Sequence, residues 1–194
     1  MLYDILKYLH VMSFVFMSVP LFNLIVVNER ARLGSQIIYH ADLYMENIIR
    51  GGVKRCFVFQ TSVLTTGILL LISGPLGLTA LYTNWIIAVK TLLLFTLMGL
   101  LSYVHLRIQP RIDRIITGMS ENQSLNEELA KMIKPDRVLR KKMAATCLFI
   151  VLALIILGMQ VYSTYDPWLT VILFSLAALF SLRAYRTRLP YGWL

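Results

Sequence analysis

A chain of 194 residues with 58% hydrophobic residues, 15% charged residues and a mean hydropathy of +0.69 is too apolar for a water-soluble domain and too long for a single anchor. The formal net charge of +9 does not require nucleic acid as a partner, because the basic residues are placed as membrane topology places them. The composition predicts an all-α polytopic membrane protein, a single integral membrane domain over 1–194.

Five apolar runs are long enough to cross about 30 Å of hydrocarbon as helices. The first, 5–27, starts almost at Met1, but Asp4 and Lys7 precede it and no small-x-small cleavage site follows, so it reads as a retained span. Pro20 removes one helix hydrogen bond there and predicts a kink in the inner half. After it, apolar residues recur at 37/38, 41, 44/45 and 48/49 before Gly51-Gly52, which predicts a separate amphipathic helix, stopped by the glycines, on the membrane surface or against a partner. The second and third spans follow at 56–74 and 83–106. In the next connection, Ser124-Leu-Asn-Glu127 has a capping-box pattern that predicts a short helix ending before Pro135. The last spans, 143–163 and 167–184, leave room only for a tight turn, which suits Asp166-Pro167.

Charge sets the orientation. Every Lys and Arg except Lys7 and Lys90 lies between the first and second spans, between the third and fourth, or at and beyond the end of the fifth. The positive-inside rule therefore predicts an outside N-terminus and a cytoplasmic C-terminus, with amphipathic connecting helices on the cytoplasmic side. Cys56 and Cys147 are isolated, fall near the cytoplasmic ends of their helices, and read as reduced packing residues. The ten carboxylates lie at span ends or in connections, so no buried acidic relay is expected. Gln60, Gln160 and Asn23 are expected to be satisfied by neighbouring helices.

Two residues depart from this pattern. Lys90 sits inside Trp85-Ile-Ile-Ala-Val-Lys90-Thr-Leu-Leu-Leu-Phe95, where an ammonium costs at least about 2.5 kcal/mol on insertion scales and marks a candidate functional site. His10, counted from the outer end of the first span at about 1.5 Å per residue, falls at the same depth, roughly 10 Å in. A neutral imidazole ligates haem iron or copper, and an ammonium pairs with a propionate or another anion. Trp85 would sit above the pair at the interface, and Met17, at i+7, shares a helix face with His10 and adds a soft sulfur. His105 belongs to the opposite end of the third span and reads as an interfacial residue, and His40 falls in a cytoplasmic connection. Three histidines so placed exclude a four-histidine, two-haem bundle.

Leu9-His10 in the first span, Thr65-Thr-Gly67 in the second, and Trp85 with Lys90-Thr-Leu-Leu-Leu in the third resemble the superfamily of HemJ-type protoporphyrinogen IX oxidases and CopD-type copper-resistance membrane proteins. Leu106-Arg-Ile-Gln-Pro110 and Leu139-Arg-Lys-Lys142 are closer to the CopD side. The HemJ resemblance implies a membrane oxidoreductase binding haem b, with His10 as the iron ligand and Lys90 as a catalytic or cofactor-binding residue. The CopD resemblance implies copper handling, with His10 and Met17 as ligands. A third expectation is a non-catalytic subunit of a larger respiratory or photosynthetic complex. All three place the chain in a bacterial inner membrane, in contact with lipid, with protein partners or as a homo-oligomer, and without nucleic acid.

Overall fold

A computed structural model of the protein describes residues 1–32, 38–117 and 123–186, and among these there is no strand. Five helical stretches are long and apolar enough to cross a membrane: Leu2–Arg30, Tyr39–Ser73, Trp85–Thr117, Glu128–Met159 and Pro167–Arg186. The protein is an all-α, multi-pass membrane protein.

The first stretch is broken as Pro20 requires. Helix α1, Leu2–Phe16, ends where the amides of Met17 and Ser18 reach back to Ser13, Phe14 and Val15, and α2, Val19–Arg32, restarts with Pro20 in its first turn, where a missing N–H costs little. Helix α3, Tyr39–Ser73, is continuous for 35 residues, about 52 Å, so it outruns the hydrocarbon layer by some 20 Å. The expected amphipathic helix before Gly51-Gly52 is thus the first third of α3 and not a separate element. Gly52 serves a different purpose: a Cβ there would lie 3.1 Å from Asn23 Oδ1 and 3.2 Å from the Val19 side chain, so its bareness lets α2 pack close.

After a one-turn helix, α4, Ala80–Thr83, Asn84 caps α5, Trp85–Tyr103, its Oδ1 accepting from the amides of Ile86 and Ile87. Helix α5 runs through a π-helical turn, Val104–Ile108, into α6, Gln109–Thr117. Helix α7, Gln123–Met159, contains Pro135 in its interior and does not end before it, contrary to the expectation from sequence; the side chains of the Ser124–Glu127 capping pattern lie outside the described set. Helix α8, Pro167–Arg186, starts as Asp166-Pro167 suggests, with the carboxylate accepting from the Trp168 amide at 2.8 Å.

Helix α1 packs along α3, α5 along α7, and α7 also holds α2 and α8. The main apolar core joins Met17, Val53, Cys56, Val63, Leu94, Leu97, Cys147, Val151 and Leu154. A second core, Val104, Ile108, Ile112, Ile116 and Ile133, lies beneath the extensions at the basic end. On α3 the buried positions 42, 46, 49, 53, 56, 60 and 63 alternate in steps of four and three, a single stripe along the helix.

Candidate functional site

At the end of the bundle opposite the basic one, four helices contribute to one region. From α1, His10 Nδ1 lies 2.9 Å from Thr66 Oγ1 on α3. Thr66 has a single hydroxyl proton, and at 2.6 Å from the Ser62 carbonyl that proton is already donated to the backbone. The Thr66 oxygen is therefore the acceptor and His10 Nδ1 carries the hydrogen, with the Val63 carbonyl also beside the ring. Fixing the proton on Nδ1 leaves Nε2 with an available lone pair, the arrangement in which a second-shell partner prepares histidine to ligate through Nε2. Gly67 makes room for this ring, since a Cβ would stand 3.3 Å from His10 Cε1.

Lys90, on α5, is half-buried and faces α7, where a Cβ on Gly158 would lie 3.6 Å from its Nζ. Its ammonium makes no hydrogen bond or ion pair with any described residue, yet its charge reaches the His10 imidazole. His10 and Lys90 are thus brought to the same region from different helix pairs, α1/α3 and α5/α7. One turn outward, a cleft of about 370 Å3 is lined by Asn84, Trp85, Ile86, Gln160, Val161 and Tyr162. Ile86, one of the residues lining the cleft, precedes Lys90 by one helical turn. Trp85 is 62% exposed at its rim, and the Tyr162 hydroxyl meets that of Tyr3 at 2.8 Å. Gln160 is buried and held by Thr170 and the Ile156 carbonyl, as expected of it.

Met17 belongs elsewhere. It is fully buried in the main apolar core, seven residues or about 10 Å along the helix from His10. His105 lies in the π turn with its ring edge-on to Phe57, centroids 5.9 Å apart, and its buried Nδ1 has no partner among the described residues. At fifteen residues from Lys90, it stands about 22 Å from the His10 level. His40 is exposed, near the start of α3, and both cysteines are buried in the apolar core. Gln60 departs from expectation: it is fully buried and neither amide atom finds a partner among the described residues.

Sequence reasoning missed the strongest polar constellation. Asp42 and Glu46, expected in an exposed connection, are buried at the basic end, 0% and 2% exposed. Asp42 accepts from Arg30 Nε at 2.7 Å and Nη2 at 2.8 Å, from Arg137 at 2.7 Å and from the Ile38 amide at 3.0 Å. Glu46 accepts from both terminal nitrogens of Arg140, from Arg137 at 3.2 Å and from Gln109 at 3.1 Å. Gln109 also donates to Asp113, which pairs with Arg50 at 2.7 Å. Helices α2, α3, α6 and α7 are joined in this way through charge whose carboxylates, Asp42 and Glu46, are buried. Along the first third of α3, Ile38, Tyr44 and Ile48 lie on an outward apolar face, 45%, 66% and 42% exposed, whereas Ile49 is buried. No protein-family model matches the chain, and no curated protein or solved structure matches it either.

Proposed function

We propose that the protein is a HemJ-like redox protein of a bacterial plasma membrane that holds one haem b in the outer half of its bundle, with His10 Nε2 as the iron ligand and Lys90 pairing with a propionate. The observation that carries this reading is the hydrogen bond from His10 Nδ1 to Thr66, which leaves Nε2 bare, beside an ammonium that has no protein anion. The donor set fits the group: a nitrogen ligand oriented from behind, a cation for a carboxylate, and a glycine, Gly67, where a side chain would crowd the imidazole. Bound there, haem would supply one-electron chemistry that the protein groups themselves lack.

In this reading Thr66 orients the imidazole, Gly67 keeps the ring face clear, and Lys90 neutralises the incoming carboxylate and fixes its depth. Copper would be left with ligands two helical turns apart, His10 and Met17, the latter enclosed in the apolar core.

The decisive experiment is the absorption spectrum of the purified protein before and after dithionite. A Soret band that sharpens on reduction and disappears in His10→Ala is expected, and a flat visible spectrum would overturn the reading. Thr66→Val, which keeps the shape but removes the acceptor, is expected to weaken haem retention about 10- to 100-fold, measured by haem transfer to apomyoglobin.

A further inference from the structure

Away from both polar sites, Arg107, Arg111 and Arg114 stand at i, i+4 and i+7 on one helix face, a stripe about 10 Å long. All three are exposed, and with Leu106 and Pro110 they enclose a groove of about 260 Å3. The opposite face of the same helix buries Ile108, Ile112 and Ile116, so the stripe is directed away from the protein. Among the described residues, Arg30, Arg50, Arg137 and Arg140 each hold a carboxylate, whereas the guanidinium groups of Arg107, Arg111 and Arg114 make no ion pair or hydrogen bond. Asp113, although between two of them in sequence, is turned toward Arg50 and Gln109.

The position along the membrane normal identifies the missing counter-charge. The apolar run of this helix ends at Leu106, so Arg107 starts at the hydrocarbon edge and the stripe crosses a headgroup layer roughly 5–8 Å thick. On the apolar side of the groove, Tyr103 and Leu106 are 49% and 69% exposed. We propose that this groove binds the headgroup of an anionic phospholipid, the three guanidinium groups donating to phosphodiester oxygens while Tyr103 and Leu106 lie along the acyl chain. Guanidinium forks match phosphate oxygens, and a phospholipid meets both the cationic and the apolar part of the groove where a free phosphate meets only one. Topology asks only for positive charge somewhere in a connection; concentrating three unpaired arginines around one groove goes further.

The full-length protein in neutral detergent can be titrated with short-chain phosphatidylglycerol, short-chain phosphatidylcholine and inorganic phosphate, binding being read by native mass spectrometry. Phosphatidylglycerol is expected to bind at least about tenfold more tightly than the other two. Since each basic side chain at an anionic surface is worth about fivefold, Arg107→Gln/Arg111→Gln/Arg114→Gln should weaken phosphatidylglycerol binding by at least about tenfold. Lys54→Gln/Arg55→Gln/Lys131→Gln, exposed basic residues outside the groove, should change it less than about threefold. The single reversal Arg111→Glu reports the same loss should the triple variant fail to fold. Equal losses in the two triple variants, or binding of inorganic phosphate as tight as that of the lipid, would overturn the proposal.

Discussion

Glu46→Ala is expected to destabilise the protein by about 3–5 kcal/mol, the range for breaking a buried ion pair from one side. The carboxylate lies among the guanidinium groups of Arg137 and Arg140, with the Gln109 amide as a further donor. Its removal takes from Arg137 and Arg140 the carboxylate they share, and water cannot readily repair the deficit in a site this buried. Arg50→Ala provides the contrast. Its pair with Asp113 is partly exposed, at 39% and 26%, and belongs to the class worth about 0–1 kcal/mol. Thermal unfolding in detergent, followed by circular dichroism, should separate the two variants clearly, and equal melting temperatures would show that the buried cluster carries no more stability than a surface pair.

Lys90→Met is expected to act in opposite directions on stability and on ligand. Methionine fills similar space, and the ammonium it replaces has no anion among the described residues. An ammonium at a helix centre costs about 2.5–3.5 kcal/mol, and a half-buried one retains part of that, so the ligand-free variant should be more stable by about 1 kcal/mol or more. Haem retention should fall in the same variant. A structural lysine would give the reverse pattern, with Lys90→Met neutral or destabilising in the ligand-free protein and retention unchanged. Measuring unfolding and cofactor transfer on the same preparations distinguishes the two.

The spans were legible because about twenty consecutive apolar residues admit few other structures, and the Pro20 break and the Asp166-Pro167 turn follow from local chemistry. His10 and Lys90 could be placed at one level because rise per residue is fixed. What could not be read was which partner each would face: Thr66 for one, Gly158 for the other, both set by helix packing. The error over α3 is the more instructive one. Its first third was expected as a separate helix with its acids in a connection, yet Asp42 and Glu46 continue the buried register of Ile49, Val53 and Cys56 without interruption. That register was present in the sequence. The arginines that make burial of the acids tolerable lie up to 94 residues away, and nothing local announces them.

The wide separation of those partners also orders events during synthesis. Asp42 meets Arg30 only twelve residues away, so the first two spans can settle that charge between themselves as they emerge. Glu46 must wait for Arg137 and Arg140, which are made 91 and 94 residues later. Until then the chain holds a carboxylate on a face destined for the interior, without the guanidinium groups that pair with it there. Burial of that face is thus tied to the arrival of α7, which carries both arginines.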